Sequence, residues 1–365
     1  MKKRFRFTDA AAGLTASVLV LILSFVFSDE IAAGAVKVCG EVCSAAAAVL
    51  TENESGTDTL PAIPETQTEK PEEKSAPADG EYRIPDDVLT LQREYAASVS
   101  EDMKAGKVTE LAYITTGATD EADGIQIKNA TAALHPDFEA LLKEKSDLKV
   151  EDKSKPTVLI FHTHTTESYL LTDDGAFYKG YETKSTDPAR NVVRVGDEIC
   201  RALEENGIGY IHDTKIYDEA YNGAYARSRE SVERYLRENP EIQIVLDVHR
   251  DAFYNSDTDR VKTAYTVNGK KAAQIMIISG AEDSGITDFP DWEYNLRFAL
   301  EIQKAAGKYY GLMKPLYFCP RRYNMNTAHC SLLMEFGTDA NTLEEAVYSG
   351  HLMGDILAQI IKEHS

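Results

Sequence analysis

The stretch from Thr157 to Ser168 constrains the fold of this chain more than any other. It reads Thr-Val-Leu-Ile-Phe-His-Thr-His-Thr-Thr-Glu-Ser, a short apolar run followed at once by two histidines and a glutamate. Such an apolar run is typical of a buried strand, and open α/β sheets place their ligands at the carboxyl ends of their strands. A catalytic zinc site commonly takes two histidines and one glutamate. The stretch therefore predicts a strand that ends in a metal site.

Two further apolar runs lead into residues of the same chemical type. Residues 242–247 precede His249, and residues 331–334 precede Glu335. A lone His-x-x-Glu is more often a solvated surface pair. Three predicted strands that each end in a metal-binding or acid/base residue instead favour one shared site at one edge of a sheet.

The order of the predicted elements indicates the fold class. Apolar positions recur with a helical period in several segments, and Asn268-Gly269 between two apolar runs predicts a hairpin. The predicted helices cover residues 86–105, 191–203, 225–237, 293–309 and 342–363. Strands alternate with these helices from Lys155 onward, which predicts an α/β fold, a three-layer domain with a mixed central β-sheet flanked by helices.

The amino-terminal residues have the pattern of a membrane anchor. Basic residues precede an apolar run from Ala10 to Phe27 that is about the minimum length for crossing a bilayer, and acidic residues follow it. This arrangement predicts a single-pass protein of the cytoplasmic membrane with its N-terminus inside and the rest outside. A cleaved signal peptide is the alternative, because residues 32–35 offer small side chains to a peptidase. The length of the apolar run favours a retained anchor.

Composition divides the chain into four parts. Residues 1–28 form the cytoplasmic tip and anchor, and residues 29–81 form a disordered tether rich in Pro, Glu and Thr. Residues 82–150 are expected to be an extension packed on the catalytic domain of residues 151–365. The net charge of −21 argues against a nucleic-acid partner, since such binding depends on neutralising phosphates with Lys and Arg.

Four features together resemble the stage II sporulation protein P family, cell-wall hydrolases of endospore-forming bacteria. They are the anchor with its acidic tether, Phe161-His-Thr-His-Thr-Thr-Glu-Ser-Tyr169, Asp247-Val-His-Arg-Asp251 and Met334-Glu-Phe-Gly337. The resemblance implies a zinc-dependent N-acetylmuramoyl-L-alanine amidase that also cleaves peptide cross-links. It implies peptidoglycan degradation during forespore engulfment, from the mother-cell side of the septum. The implied partners are a stage II sporulation protein D-like lytic transglycosylase and the membrane protein of the engulfment machinery.

Chemistry and resemblance together predict the central roles. His164, Glu167 and His249 are the predicted Zn²⁺ ligands, and Glu335 is the predicted general base, which takes a proton from water and passes it to the leaving amine. His162 is an alternative ligand or a neighbour of the ligands, because side chains two residues apart in a strand, such as those of His162 and His164, lie on the same face. The His-x-x-Glu spacing, which zinc carboxypeptidases also have, favours His164.

Five other residues are predicted to surround the ligands. Asp251 is expected to hydrogen-bond a ligand imidazole. Arg250 is expected to bind stem-peptide carboxylates or to stabilise an oxyanion in catalysis. Arg321, Arg322 and Asn324 are expected to line a groove for acidic peptide stems. For each arginine an ordinary structural role is equally compatible with the sequence.

Other functions fit parts of the pattern. A zinc carboxypeptidase-like peptidase acting on soluble peptides would use the same ligands, but the wall-facing anchor disfavours it. A non-catalytic cell-wall-binding recruiter would be marked by a lost ligand, and none of the predicted positions is lost. A glycosidase needs paired carboxylates, which Asp247 and Asp251 could supply, but it leaves the histidines unexplained.

Overall fold

The structure is a computed structural model and describes residues 82–365. The predicted anchor of residues 1–28 and tether of residues 29–81 lie outside the described residues. Within residues 82–365, none of the helices combines the length and the apolar character that crossing a membrane requires.

Thirteen strands, six α-helices and three short 3-10 helices are found in the described part of the chain. The strands are β1 Lys104–Leu111, β2 Asp120–Ala122, β3 Ile125–Asn129, β4 Pro156–Phe161, β5 Ala176–Tyr178, β6 Gly209–His212, β7 Ile244–Asp251, β8 Phe253–Ser256, β9 Asp259–Val267, β10 Lys270–Ala273, β11 Ile275–Gly280, β12 Leu316–Cys319 and β13 Cys330–Thr338. The helices are α1 Asp86–Ser98, α2 Phe138–Leu141, α3 Val192–Glu205, α4 Ala224–Glu238, α5 Trp292–Ala305 and α6 Leu343–Glu363.

The main sheet has eight strands in the order β2-β3-β12-β11-β13-β7-β4-β6. Strands β6, β4, β7 and β13 are parallel to one another, and β11 runs antiparallel to β13. Strands β12 and β3 follow the direction of β11, so that the sheet is mixed. The prediction of a mixed central sheet flanked by helices is confirmed.

Helices cover the two faces of the main sheet unequally. The large apolar core joins α3, α5 and α6 to one face, through strand residues such as Leu246 and Phe336. On the opposite face, Val232 of α4 packs against Leu159 and Val245, which belong to β4 and β7. The domain therefore has three layers, and the helical layer formed by α4 is thinner than the one formed by α3, α5 and α6. The four long helices predicted after residue 190 are confirmed.

A second, smaller sheet was not predicted. It runs in the order β10-β9-β1-β5, and β8 pairs with β9. Residues 82–150 contribute to both sheets, because β1 pairs with β9 and β3 pairs with β12. The predicted helix over residues 86–105 is therefore wrong beyond Ser98. Gly106 of β1 lies against Phe177, and a Cβ at this position would be 2.5 Å from the Phe177 ring. Only glycine therefore lets β1 fit between β5 and β9 at this point.

Two of the three strands that were predicted to end at the metal site are longer than predicted. Strand β7 continues to Asp251 and β13 continues to Thr338, so that His249 and Glu335 lie inside strands. Only β4 ends, at Phe161, before its histidines. This difference decides which side chains share a face.

Candidate metal centre

The three predicted zinc ligands come together in space. His164, Glu167 and His249 each offer one ligand atom, and these atoms lie within 4.8 Å of one another. Nδ1 of His164 is 3.4 Å from Oε1 of Glu167, and Nδ1 of His249 is 3.4 Å from Oε2 of the same carboxylate. Ligands held about 2.0–2.1 Å from a tetrahedral zinc are separated by about 3.3–3.4 Å. The residues present therefore fit zinc in number, chemical type and spacing.

A turn at the end of β4 and the neighbouring strand β7 position this ligand group. After Phe161 the chain turns, and the backbone N–H of Glu167 donates to the carbonyl of His164 at 3.1 Å. Asp218 holds the turn from outside by accepting from both the backbone N–H and the hydroxyl of Thr166. Because β4 and β7 are adjacent and parallel, the turn places His164 and Glu167 beside His249.

His162 lies away from the ligand group. Its Nδ1 is 2.9 Å from the carbonyl oxygen of Val248, and its Nε2 is 2.9 Å from Nε2 of His212. Burial lowers its pKa well below the ordinary value, so that the imidazole is neutral. The expectation that it shares a face with His164 is wrong, because β4 has ended and the turn directs the two side chains apart. Gly196 of α3 makes room for it, since a Cβ there would lie 2.9 Å from the His162 ring.

Asp247, rather than Asp251, lies beside a ligand imidazole. Its Oδ1 is 2.8 Å from Nε2 of His249, and the backbone N–H and hydroxyl of Thr163 donate to its two oxygens. Burial would lower the pKa of His249, but the Asp247 carboxylate raises it well above the ordinary value. A carboxylate behind a ligand histidine fixes the ring orientation and leaves the other nitrogen for the metal.

The sequence contained the signal for Asp247. Residues two apart in a strand share a face, and Asp247 and His249 lie in the same strand. The role predicted for Asp251 is corrected accordingly. Its Oδ2 lies 3.6 Å from Nζ of Lys314, a lysine that is buried within the described part of the protein.

Glu167 is held in its ionised form. Burial would raise the pKa of its carboxyl, but the charge of Arg250 and the two histidines hold it well below the ordinary value. The backbone N–H of Arg250 also donates to its Oε2 at 3.0 Å. An ionised carboxylate is the form that a zinc ligand requires.

Arg250 contacts the protein itself rather than an open cleft. Its buried guanidinium donates to the backbone carbonyls of Ser168 and Thr183 and, at 3.5 Å, of Asp251. These bonds fix the segment that follows Glu167. The geometry therefore favours a positioning role for Arg250 over the predicted contact with substrate.

Glu335 stands next to the ligand group on the adjoining strand. It is the register partner of His249 between β13 and β7, and neighbouring strands are about 4.8 Å apart. Its Oε2 is buried and has no hydrogen-bond partner among the described residues. Burial and the nearby Asp251 carboxylate raise the pKa of Glu335 to about 8, while His249 opposes that rise. A carboxyl that titrates near neutral pH suits a general base.

Tyrosines that the sequence did not single out form one wall of the site. The ring of Tyr221 stacks on His164 with centroids 4.7 Å apart, and Tyr225 lies 5.5 Å from the same imidazole. Tyr323 stacks on Tyr225 at 5.0 Å. The loop of residues 320–329 and the start of α4 meet only in the folded chain, and the sequence, with 19 tyrosines, gives no sign of which three are involved.

The three residues predicted to line a peptide groove have different surroundings. Asn324 is buried and donates to the carbonyl of Tyr225 and to the hydroxyl of Ser228, so that it anchors the loop rather than facing substrate. Arg322 lies 3.6 Å from the Asp288 carboxylate. Arg321 is directed towards Tyr323, where it opposes the rise that burial causes in the pKa of the phenol.

A second acidic group has a different character. Carboxylates of Glu110, Asp173 and Glu345 also lie within 4.8 Å of one another. The ammonium of Lys262 stands among them, 2.6 Å from Asp173, 2.7 Å from Glu345 and 3.2 Å from Glu110. A lysine ammonium therefore already occupies the position among these carboxylates.

The chain matches a known protein family. A family model described as stage II sporulation protein P matches residues 56–358. Stage II sporulation protein P of Bacillus subtilis (strain 168) is 31% identical over 236 residues, which are 60% of this chain and 54% of the relative. The chain thus matches about half the length of that relative.

Solved amidase structures show a distant likeness. The N-acetylmuramoyl-L-alanine amidase AmiC2 of Nostoc punctiforme has 13% identity and a TM-score of 0.31, and covers 57% of this chain and 96% of its own. The CwlD amidase of Clostridioides difficile, solved in complex with the GerS lipoprotein, has 14% identity and a TM-score of 0.34, and covers 57% of this chain and 98% of its own. These likenesses are too distant to support an inference about this chain.

Proposed function

Because the chain belongs to the stage II sporulation protein P family, we propose that it is a zinc-dependent peptidoglycan hydrolase. In this proposal it cleaves the amide between N-acetylmuramic acid and the L-alanine of the stem peptide. The observation that carries the proposal is the group of His164, Glu167 and His249 at zinc-ligand spacing, with the buried Oε2 of Glu335, which has no hydrogen-bond partner among the described residues, on the next strand.

The residues of the site divide the chemistry among them. His164, Glu167 and His249 would hold the zinc, which supplies a Lewis acid that brings the pKa of water to about 7. Glu335 takes the proton of the attacking water and delivers it to the nitrogen of the leaving amine. Burial and Asp251 raise the pKa of Glu335 to about 8 in the metal-free protein, and a zinc ion beside it would favour the ionised carboxylate that can accept this proton.

Other residues keep this arrangement in place. Asp247 orients the His249 ring through its position 2.8 Å from Nε2. Arg250 fixes the segment that carries Glu167 by binding the carbonyls of Ser168 and Thr183. Tyr221 and the neighbouring tyrosines cover one side of His164, which limits access of bulk water.

The finer parts of the proposal rest on the family. We include a second activity on peptide cross-links and a role in forespore engulfment. The membrane anchor of residues 1–28 would hold the protein to the cytoplasmic membrane with the catalytic domain outside. A stage II sporulation protein D-like lytic transglycosylase and the membrane protein of the engulfment machinery would be its partners.

The alternatives find less support in the site. Asp247 binds Thr163 and lies against His249, while Asp251 faces Lys314, so the two do not form a glycosidase pair across a groove. A non-catalytic recruiter would have no need of an unpartnered buried carboxylate oxygen beside three ligands. A peptidase acting on soluble peptides would use the same centre, and only its substrate separates it from the proposal.

The test is zinc content together with digestion of purified sacculi by the full chain. Wild type is expected to carry about one zinc and to release stem peptides. His249→Ala should lose the zinc, and Glu335→Gln should keep the zinc but release no stem peptides. His329→Ala is the matched control, because this histidine is exposed and pairs with Asp147 outside the site.

Two kinds of result would count against the proposal. Wild type without zinc, or a fully active Glu335→Gln, would contradict the mechanism. Zinc-dependent cleavage of free peptides with intact sacculi left undigested would favour the soluble-peptide alternative.

A further inference from the structure

We propose that the open face of the main sheet beside the metal centre is a groove for the stem peptide, and that Lys128 binds a stem carboxylate at its far end. The inference rests on the proposed function and names the part of the substrate that this face recognises. Lys128 lies in β3, outside the predicted catalytic domain of residues 151–365.

A row of side chains leads from the ligands to Lys128. His249, Glu335 and Met276 are register partners on β7, β13 and β11, and Tyr317 and Lys128 are register partners on β12 and β3. Tyr317 also pairs with Ile278, which is two residues from Met276 and so shares its face. All five residues therefore lie on one face. Four strand-to-strand steps of about 4.8 Å, with the two-residue shift along β11, place the backbone of Lys128 about 20 Å from that of His249.

This face of the sheet is open beyond Glu335. Helix α4 stands over β4 and β7, and α5 joins the core on the opposite face. Within residues 82–365 no α-helix lies across β11, β12 and β3 on this side. Met276, Tyr317 and Lys128 stay partly exposed as a result. Phe289 and Met325, which begins a short 3-10 helix, pack on Ile278 and Cys319 towards the carboxyl ends of β11 and β12, and they bound the groove there.

The charges along the groove select its occupant. Lys128 forms no ion pair with any described residue, and its ammonium lies 5.0 Å from the ring centroid of Tyr317. A cation on this open face of a chain with net charge −21 is matched by an acidic ligand, and stem peptides carry free carboxylates whereas the glycan hydroxyls do not.

The length of the groove also fits a peptide. The ammonium of Lys128 lies over the Tyr317 ring, three strand steps and a two-residue shift from His249, which is about 16 Å. An extended residue spans about 3.3 Å, so four or five residues cover this distance. A stem cleaved at Glu335 would reach Lys128 with its carboxylate-bearing residues. A charge-assisted hydrogen bond there would favour the free acid over its amide.

The experiment compares two substrates with the full chain. One is an N-acetylmuramoyl tetrapeptide with free stem carboxylates, and the other is the same compound with these carboxylates amidated. Wild type should show a higher kcat/KM for the free acid. Lys128→Met should reduce that preference by about fivefold to tenfold, and Lys128→Arg should retain it. Lys149→Met is the matched control, since this exposed lysine lies near Gln243 at the amino end of β7.

Binding separates the groove from the chemistry. The dissociation constants of both compounds are measured with Glu335→Gln, with and without Lys128→Met. An unchanged preference in Lys128→Met, or an equal loss in Lys149→Met, would overturn the groove while hydrolysis upholds the proposed function. A Lys128-dependent preference in binding without any hydrolysis by wild type would uphold the groove and overturn the proposed function. If neither compound binds, the groove is wrong, and sacculus digestion alone then decides the function.

Discussion

Replacing Glu335 with glutamine should change how the stability of the metal-free protein depends on pH. The carboxyl of Glu335 has its pKa raised from 4.5 to about 8, because burial and Asp251 disfavour its charge. Glutamine has nearly the same shape and does not titrate. The difference in unfolding free energy between the two proteins therefore isolates the titration of this one group.

The sign follows from proton binding. Between pH 4.5 and about 8 the folded state holds a proton on Glu335 that the unfolded state has released. Stability then falls as pH rises, at about 1.4 kcal/mol per pH unit at most. The contribution is fully present below pH 4.5 and is lost as pH rises through about 8. Across the window the loss relative to Glu335→Gln is on the order of 3–4 kcal/mol.

Urea unfolding at fixed pH values from 4.5 to 8.5, in the presence of a chelator, measures this difference. The free energy of unfolding of wild type minus that of Glu335→Gln should decline steadily with pH. Adding zinc should flatten the decline, because a nearby cation favours the ionised carboxylate. A difference that stays constant from pH 5 to pH 8 in the chelated protein would refute the burial and charge environment assigned to Glu335.

Three further changes test other parts of the structure. Asp247→Asn should weaken zinc affinity about tenfold to a hundredfold by removing the carboxylate behind His249, and competition with a chromogenic chelator measures this; unchanged affinity would contradict the role. Gly196→Ala should cost about 1–3 kcal/mol of stability, since its Cβ would lie 2.5 Å from the His212 ring, and thermal unfolding measures it; an unshifted Tm would show that the ring moves freely. Lys262→Met should cost about 3–5 kcal/mol in urea unfolding, because three carboxylates would lose the ammonium among them, and the cost should shrink at low pH as they take up protons.

The sequence predicted the parts of this protein that depend on local pattern. The apolar run before Phe161 predicted β4, and the His-x-x-Glu turn with a histidine on a second strand predicted a ligand group that the structure brings together. Strand length was harder to predict, because polar residues such as Asp247 and His249 continue β7 where apolar patterning stops.

The remaining features depend on distant pairing. Whether His162 or His164 faces the ligands depends on the residue at which β4 ends, which neighbouring strands decide. The second sheet forms because β1 finds β5 and β9, against the helical pattern of residues 86–105. The tyrosine wall requires Tyr323 to meet Tyr225 across 98 positions of sequence, and no local pattern encodes that contact.

The pairing of β3 with β12 has a consequence for the order of folding. Ile127, near the beginning of the described chain, lies opposite Leu316, and Glu335 follows later still. Contacts between residues so far apart form slowly, since closing long loops costs chain entropy before the contacts stabilise anything. An incomplete chain therefore cannot assemble the ligands, the base and the groove together. The complete site should form only once synthesis of the chain is nearly finished.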